Sequence, residues 1–382
     1  MTDGRAEVAR ARRVVVKIGS SVVAANGDIF DRLAMSIEKH RSTAFVVVSS
    51  GAIALGMKKL GYRSRPKEIA RLQAAAAAGQ SLLMRAYEEA FAARGLAVAQ
   101  VLLTYADLAD RARTNNARAA LGALLEAGAV PILNENDSVA VDEITLDNDQ
   151  LAAMVAPLVE AELVVLLSDV DGLLDSNGRR VAQVVDVTNE ALPHVRPSAK
   201  TLGKGGMASK VEAARRATLA GANVVVAHAN TSGALDAVLA GEDVGTLFVA
   251  ARKRLSAKKY WIAFTLRPRG ELILDLGAAE AVRARGKSVL SVGVLGVRGD
   301  FRAGDAIRIL DIGAREIARG LARCSAGDAA MVAGKARKEL PDSLAALALL
   351  VHADEIVVGV HDDLYDPRTN QGTSSQRPAV EN

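Results

Sequence analysis

The sequence predicts an α/β protein, with a three-layer α/β/α sandwich around a mostly parallel sheet and then a small β-barrel-like module. Three observations predict it. Short runs in the first ~250 residues are almost continuously apolar, which is typical of parallel strands buried on both faces. Long segments rich in Ala and Leu separate these runs. After about residue 260 the strands become shorter and alternate with glycine turns.

Six apolar runs are the predicted strands of the first domain. They are residues 13–19, 44–51, 96–104, 129–137, 162–172 and 221–229. The helices between them include residues 70–95 and 114–128, and each of these two segments ends on a glycine, as a helix C-cap often does. The alternation of the two kinds of segment predicts the layered sandwich.

The pattern divides the chain into two domains and a tail. A basic stretch near residues 252–260 suits a linker, so the predicted domains are 1–252 and 258–360. The last residues, 361–382, are polar and contain Pro, Gly and Ser, which predicts a disordered tail. From 252 to 360 basic residues outnumber acidic ones by seven, whereas the rest of the chain is slightly acidic, which suggests two domains with different partners.

The composition excludes several classes of protein. The chain has one cysteine, so it can form no internal disulfide, and this favours a reducing cytoplasm. No apolar run approaches the ~20 residues that a membrane span needs, and the first residues have no apolar signal core. The five histidines show no metal-ligand spacing, so no zinc site is expected.

In an open α/β sheet ligands bind at the carboxyl ends of the strands, and two of these ends carry anion-binding features. Lys17 ends the first strand and Gly19 follows it, which is the outline of a phosphate site. Ser50 ends the second strand and opens a helix, whose free N–H groups bind carboxylate or phosphate. A lysine at a strand end and a serine helix cap are the alternative interpretations.

Two further loops have the same character. Ser168 and Asp169 follow the most hydrophobic strand and could hold the ribose or base of a nucleotide, although a plain turn has the same pattern. The last loop is glycine-rich and leads into a helix that should begin near Met207 with Lys210 in its first turn, where the helix dipole disfavours a cation. A polyanion bound there would explain this lysine, and a glycine-rich surface loop is the alternative. This last loop contributes Lys204, Gly205, Gly206, Met207 and Lys210.

The segment 131–153 concentrates acids and amides and contains neither Lys nor Arg. Together with the anion-binding loops and two lysines, this cluster is what phosphoryl transfer from ATP requires, because such catalysis consists mostly of positioning and charge neutralisation. Asp142 and Glu143 have no assigned role and are interpreted as a solvated loop over the site, and Asp147 has no assigned role either.

Many short motifs occur in one order along residues 13–360. They include "VVKIGSS", "SSGAIALG", "PILNENDSV", "DNDQLAA", "LLSDVDGL" and "GKGGMASKVEAA", and later "GVRGDFRAGDAIRI". In these motifs the chain closely resembles the glutamate 5-kinases of the amino-acid kinase family, which carry a C-terminal PUA domain. Position 204 departs from the family pattern, since it is Lys where a small polar residue is common.

The resemblance implies ATP-dependent phosphorylation of the γ-carboxylate of L-glutamate, with Mg²⁺, as the first step of proline biosynthesis. It implies that Lys17 and Lys210 contact the transferring phosphoryl group and that Asp149 orients both lysines. The implied glutamate ligands are Ser50, Asn134, Asp137 and Asn148. The implied nucleotide-binding residues are Lys17, Gly19, Ser168, Asp169, Lys204, Gly205, Gly206, Met207 and Lys210. No residue is assigned to the metal.

The resemblance also implies partners. It leads us to expect feedback inhibition by proline, transfer of the product to glutamyl phosphate reductase, and a homodimer or homotetramer. PUA domains occur in RNA-modifying enzymes, and the basic charge of the second domain permits RNA binding. Because no stripe of alternating aromatic and basic residues is present, the sequence favours a structural or regulatory role and leaves RNA binding open.

Two rival functions stay open at this point. The first is a sibling kinase that acts on aspartate, N-acetylglutamate or a nucleoside monophosphate. Asp137 argues for a free amino acid as the substrate, because its ammonium group needs an anionic partner. An acetylated amino acid has no ammonium group and needs no such partner. The second rival is an RNA-binding or amino-acid-sensing protein with a degenerate kinase fold, and the presence of Lys17, Asp149 and Lys210 argues against it.

Overall fold

A computed structural model of the chain describes residues 4–25, 27–139, 147–195, 206–231 and 233–359. The chain divides into two compact units, and the break falls between Thr265 and Leu266. Asp142 and Glu143, which were interpreted as a solvated loop over the site, and the predicted tail 361–382 lie outside the described residues.

The first unit is built on a sheet in which eight described strands are joined by hydrogen bonds in the order β3-β4-β2-β1-β5-β7-β8-β6. These strands are β1 (Arg13–Ile18), β2 (Ala44–Ser49), β3 (Val98–Leu103), β4 (Val130–Glu135), β5 (Leu163–Ser168), β6 (Gln183–Val184), β7 (Asn223–His228) and β8 (Thr246–Phe248). The pairs are parallel apart from the antiparallel pair of β7 with β8. The mostly parallel sheet that the apolar runs predict is therefore confirmed, with two short strands added at one edge.

Helices cover both faces of this sheet. They are α1 (Gly4–Val8), α2 (Ser20–Ala25), α3 (Ile29–Lys39), α4 (Ala52–Lys59), α5 (Ile69–Ala92), α6 (Tyr105–Ala109), α7 (Arg111–Glu126), α8 (Asn148–Val155), α9 (Met207–Ala220), α10 (Ala234–Leu239) and α11 (Ala257–Tyr260). Alternate residues of β1 enter two separate cores: Val14 and Val16 pack with α3 and α5, whereas Val15 packs with α8 and α9. This alternation follows from the two-residue period of a strand and gives the predicted three layers.

The first unit extends beyond the predicted linker. Residues 258–265, which the sequence pattern placed in the second domain, form most of α11 and the helical turn Trp261–Thr265. Tyr260 is buried, and its hydroxyl donates a hydrogen bond to the carbonyl oxygen of Ala153 at 2.9 Å. A buried aromatic side chain with a satisfied hydroxyl holds this segment in the first unit.

Two glycines let α4 and α5 pack at very short range. A Cβ atom added to Gly56 would lie 1.7 Å from the carbonyl oxygen of Ala75, and one added to Gly79 would lie 1.8 Å from that of Ala52. No side chain fits there, because both atoms that it would meet belong to the backbone. The contact holds the first turn of α4 against the middle of α5, and so positions the loop that precedes α4.

Replacing Gly56 by alanine should lower the free energy of unfolding by about 3 kcal/mol, since the two helices must move apart. Gly122→Ala in α7 is the matched control, because its added Cβ meets nothing within 4 Å. This second change should raise stability by about 0.5–1 kcal/mol through the better helix propensity of alanine. Urea unfolding followed by fluorescence of Trp261, the one tryptophan of the chain, measures both. Equal effects at the two positions would contradict the close-packing argument.

The second unit has a separate sheet of short strands, as the glycine-rich pattern predicts. Its strands and helices are β9 (Gly270–Leu274), α12 (Leu276–Arg285), β10 (Val289–Leu290), β11 (Val294–Gly299), β12 (Ala306–Leu310), β13 (Glu316–Leu321), α13 (Ala326–Val332), β14 (Leu349–Val351) and β15 (Ile356–Val358). Five strands are joined in the order β11-β9-β12-β13-β15, and β10 pairs with β14. Phe301, Ile307 and Ile309 are central to the core of this unit. Within the described ranges, no helix of either unit is long and apolar enough to cross a membrane.

Candidate active site

Four of the predicted loops leave the sheet side by side. The strands β4, β2, β1 and β5 are consecutive neighbours and run parallel, so their carboxyl ends lie at one edge of the sheet. Lys17, Ser50, Asn134 and Ser168 stand at or directly after these ends. The strand order thus brings together residues that are far apart in the chain, at the position where α/β sheets bind ligands.

Two lysines and one aspartate form the charged centre of this site. Lys17 Nζ lies 2.6 Å from Oδ1 of Asp149, and Lys210 Nζ lies 3.1 Å from Oδ2 of the same carboxylate. The Asp149 side chain is 0 % exposed, and each lysine side chain is 5 % exposed. One carboxylate cannot neutralise two ammonium groups, so this Lys17–Asp149–Lys210 cluster has a net positive charge and would attract an anion.

The two lysines keep the central carboxylate ionised. Burial by itself would raise the pKa of Asp149, but the charges of Lys17 and Lys210 and their hydrogen bonds outweigh burial and hold this pKa below its usual range. Asp149 is therefore a charged partner for both lysines at neutral pH, and both of its oxygens are occupied by them.

Contacts between the first turns of α8 and α9 place Asp149 opposite Lys210. Asp147 caps α8 by accepting a hydrogen bond from the backbone N–H of Asp149 at 3.1 Å, and its second carboxylate oxygen accepts one from the hydroxyl of Ser209. Gln150 Nε2 donates to the carbonyl oxygen of Ser209 at 3.0 Å. Asp147, which sequence reasoning left without a role, thus joins the two helices that carry the cluster.

Three amide side chains form a hydrogen-bonded chain next to the charged cluster. Asn148 Nδ2 donates to Ser50 Oγ at 2.8 Å and to Asn134 Oδ1 at 3.1 Å. Asn134 Nδ2 in turn donates to Gln80 Oε1 at 2.9 Å. We call Gln80, Asn134 and Asn148 the amide relay. It connects three of the predicted glutamate ligands directly, and it includes Gln80, which sequence reasoning missed.

The turn at Ser50 is shaped by buried groups around it. Gly51 has a φ of +110°, a left-handed conformation that favours glycine, and a Cβ atom there would lie 2.8 Å from Val23 Cγ1. Tyr87 is buried and its hydroxyl donates to Ser49 Oγ at 2.9 Å. The helix α4 begins at Ala52, so its first N–H groups lie beside Ser50.

Asp137 is half-buried and follows β4. It lines a small pocket to which the amide relay also contributes. Residues lining this pocket include Ala52, Ala76, Gln80, Leu102, Asn134 and Asp137. The structure therefore places the predicted ammonium-binding carboxylate in the same pocket as two members of the relay.

The predicted nucleotide residues that can be described lie near the lysines. Ser168 is buried and its hydroxyl donates to Oδ1 of Asp169 at 3.0 Å. Partial burial would raise the pKa of Asp169, but the Ser168 hydrogen bond, its own backbone N–H and the charge of Lys210 lower it. The exposed Asp169 side chain is therefore ionised and lies close enough to Lys210 to interact with its charge.

Gly19 leaves space beside Lys17, but its backbone N–H already donates a hydrogen bond within the protein. Its N–H donates to the carbonyl oxygen of Leu167 at 3.3 Å, and a Cβ atom added to it would lie 3.8 Å from Lys17 Nζ. The helix α9 begins at Met207, as predicted, after Gly206 in extended conformation, and Lys210 lies in its first turn. Lys204 and Gly205 lie outside the described residues.

The residues that sequence reasoning missed had weak local signals. Gln80 ends the run "AAAAAGQ", in which it is the one polar side chain, and this isolation could have marked it. Asp147 precedes Asn148 and Asp149 at a helix start, where an N-cap is expected. Ser209 had no signal beyond its position next to Lys210.

Comparison with known proteins finds relatives for both units of the chain. The amino acid kinase family matches residues 12–228, and the PUA domain matches residues 270–344. A glutamate 5-kinase of Pseudomonas aeruginosa (strain UCBPP-PA14) is 44% identical over 370 residues, which cover 93% of this chain and 100% of that protein. A glutamate 5-kinase of Myxococcus xanthus (strain DK1622) is 44% identical over 373 residues, covering 94% of this chain and 99% of that protein.

The similarity extends across both units. A third relative, a glutamate 5-kinase of Cupriavidus taiwanensis, is 42% identical over 367 residues, covering 92% of this chain and 99% of that protein. The resemblance in the motifs is therefore confirmed over nearly the full length, with the kinase family in the first unit and the PUA domain in the second. The chain belongs to the amino acid kinase family, in its glutamate 5-kinase branch, and carries a PUA domain in its second unit.

Proposed function

We propose that the protein transfers the γ-phosphoryl group of ATP to the γ-carboxylate of L-glutamate, forming γ-glutamyl phosphate in the first step of proline biosynthesis. The observation that supports this best is the buried Lys17–Asp149–Lys210 cluster at the carboxyl end of β1, in a chain similar to glutamate 5-kinases over 93% of its length. Two lysines beside an amide-lined pocket can reduce the repulsion between the substrate carboxylate and the γ-phosphate of ATP.

Each residue has a proposed task. Lys17 and Lys210 contact the transferring phosphoryl group, and Asp149 orients both lysines. Ser50, Asn134 and Asn148 hold the glutamate, and Asp137 binds its ammonium group. The nucleotide contacts are Lys17, Gly19, Ser168, Asp169, Lys204, Gly205, Gly206, Met207 and Lys210.

The reaction needs no general base on the protein. A carboxylate with a pKa near 4 is already ionised at neutral pH, so the γ-carboxylate of glutamate can attack directly. The barrier to this attack is the repulsion between the carboxylate and the γ-phosphate. Lys17 and Lys210 reduce that repulsion, and their positive charges stabilise the charge on the oxygens of the moving group in an in-line transfer.

Mg²⁺ would accompany the nucleotide. Among the described residues, no three carboxylate, histidine or cysteine side chains cluster in a way that could hold a metal ion, and both oxygens of Asp149 contact lysines. Phosphate oxygens and water are ligands that Mg²⁺ prefers, so this donor set fits an ion that the nucleotide brings. When bound, it would neutralise charge on the β- and γ-phosphates.

Glutamate is favoured over the substrates of sibling kinases. Asp137, in the pocket beside the relay, provides the anion that a free ammonium group needs, and an acetylated amino acid has no such group. The buried charged cluster speaks against a degenerate kinase fold, because burying two lysines with a single carboxylate carries a desolvation cost that a purely structural site would avoid. The names of the curated relatives support the same choice.

Several wider features belong to the proposal through the family resemblance. They are inhibition by proline at or near the glutamate site, transfer of the product to glutamyl phosphate reductase, and assembly into a homodimer or homotetramer. A cytoplasmic location is proposed because the chain has a single cysteine and can form no internal disulfide, which favours a reducing compartment. For the PUA domain we propose a structural or regulatory role, and salt-sensitive RNA binding that disappears on deletion of residues 258–360 would reverse this choice.

Hydroxylamine trapping tests the function directly. Purified protein, ATP, Mg²⁺ and hydroxylamine should form a hydroxamate with L-glutamate, because an acyl phosphate is attacked by hydroxylamine with release of phosphate. Aspartate and N-acetylglutamate should give little product. A Lys210→Ala protein purified in the same way controls for contaminating kinases, and absence of product with glutamate would refute the proposed function.

A further inference from the structure

Two buried polar atoms of the amide relay have no hydrogen-bond partner among the described residues. They are Gln80 Nε2, which is a donor, and Asn148 Oδ1, which is an acceptor. Leaving a buried polar atom unpaired costs roughly 1–3 kcal/mol, so such atoms are uncommon unless a ligand satisfies them. Asn148 already belongs to the proposed glutamate site, whereas Gln80 has no assigned task.

Backbone groups determine which atoms of the relay are left over. Asn134 Oδ1 accepts a hydrogen bond from the backbone N–H of Glu135 at 2.9 Å, and Asn148 Nδ2 donates to the backbone carbonyl oxygen of Ser49 at 3.3 Å. A backbone N–H can only donate and a carbonyl oxygen can only accept, so neither asparagine amide can be turned over. Asn134 therefore donates from its NH₂ group to Gln80, and Gln80 must accept this hydrogen bond with its Oε1 atom. The NH₂ group of Gln80 remains.

The packing of α4 against α5 holds Gln80 at the pocket that Asp137 also lines. Gly79, the residue before Gln80, lies so close to α4 that an added Cβ would be 1.8 Å from the carbonyl oxygen of Ala52. Gln80, Ala52, Asn134 and Asp137 line the same pocket. Gln80, which carries the donor without a partner among the described residues, and Asp137, which is proposed to bind the substrate ammonium group, therefore border the same pocket.

We propose that Gln80 Nε2 donates a hydrogen bond to the α-carboxylate of glutamate, which makes Gln80 a substrate-contacting residue that determines specificity. This inference rests on the proposed function. The α-carboxylate is attached to the same carbon as the ammonium group, so a substrate whose ammonium group meets Asp137 has its α-carboxylate in the same pocket. The γ-carboxylate is at the other end of the molecule and reaches the Lys17–Asp149–Lys210 cluster. Hydrogen bonds to a charged acceptor are stronger than those to a neutral one, so this contact favours a carboxylate over an amide.

Gln80→Glu tests the contact, because it keeps the acceptor for Asn134 and replaces the donor by a second acceptor with a negative charge. The KM for glutamate should rise roughly 10- to 100-fold, with the KM for ATP unchanged. Isoglutamine, in which the α-carboxylate is a carboxamide, can donate to the new carboxylate. The preference for glutamate over isoglutamine, measured as the ratio of their dissociation constants by calorimetry, should therefore fall about tenfold or more.

The controls separate this contact from a packing role. Gln183→Glu makes the same change on an exposed side chain in β6. It should leave the KM for glutamate and the preference for glutamate over isoglutamine unchanged. If Gln80→Glu fails to melt cooperatively, Gln80→Met removes both polar atoms at similar length and should also lower the preference for glutamate. The proposal is overturned if a Gln80 variant weakens the binding of glutamate and of isoglutamine by the same factor, or if it weakens the binding of neither. Failure of the wild-type protein to phosphorylate glutamate would instead refute the proposed function and is recognised separately.

Discussion

Replacing either lysine of the charged cluster by alanine is expected to lower kcat about 1,000-fold, with a far smaller change in the KM for glutamate. Lys17 and Lys210 both contact Asp149 in a buried site, at 2.6 and 3.1 Å, next to the pocket proposed for the substrate. Their charges matter most when negative charge spreads over the transferring phosphoryl group. An interaction that is stronger in the transition state than in the bound substrate affects kcat more than KM.

Steady-state kinetics with glutamate and ATP varied separately measure this effect. Lys39→Ala is the matched control, because Lys39 also pairs with an aspartate, Asp236, at 2.7 Å, but its side chain is 56% exposed. This control should retain wild-type kinetics. A large increase in KM with kcat unchanged in the Lys17 or Lys210 variants would show that these lysines hold substrate and do not assist transfer.

Replacing Asp149 by asparagine is expected to lower the free energy of unfolding by about 3–5 kcal/mol and to reduce kcat strongly. The change leaves two buried ammonium groups without their counter-ion. Removing one partner of a buried ion pair is strongly destabilising because the remaining charge is uncompensated. The same loss frees Lys17 and Lys210 from their shared anchor, so their positions relative to the phosphoryl group become less defined. Urea unfolding followed by Trp261 fluorescence measures the stability of the first unit.

The pH dependence of this effect has a definite sign. The pKa of Asp149 in the folded protein lies below its unfolded value, so its contribution is fully present above the unfolded pKa of about 4. The difference in stability between wild type and Asp149→Asn should therefore be constant near neutral pH and decrease as the pH falls through the acid range towards the folded pKa. A difference that grows on acidification would contradict an ionised, lysine-paired Asp149.

Asp243→Asn is the control for burial. Asp243 also contacts two cations, Arg5 at 3.2 Å and Arg180 at 3.0 Å, but its side chain is 64% exposed. Water screens exposed ion pairs, so this change should cost at most about 1 kcal/mol. Equal losses for Asp149→Asn and Asp243→Asn would mean that burial of the cluster does not determine its energetic importance.

Features with a strong local signal were predicted well. The strand β1 was expected at 13–19 and lies at Arg13–Ile18, because a run of consecutive β-branched residues suits a strand buried on both faces whatever surrounds it. The start of α9 at Met207 was predicted from a glycine-rich loop followed by helix-forming residues. The second domain was predicted too far towards the N-terminus, since nothing in the local pattern of 258–265 reveals that Tyr260 is buried in the first unit.

The sequence by itself determined the alternation of strands and helices, the loops rich in glycine and serine, and the chemical groups available at each strand end. Only the tertiary structure decided which groups meet. Asp149 and Lys210 are 61 residues apart, and Gln80 and Asn134 are 54 apart, so no local period relates them. Their contacts depend on the order of strands in the sheet and on a helix crossing that Gly56 and Gly79 permit. Local periodicity reports which face of an element is buried, whereas the partner across the core follows from packing of the whole unit.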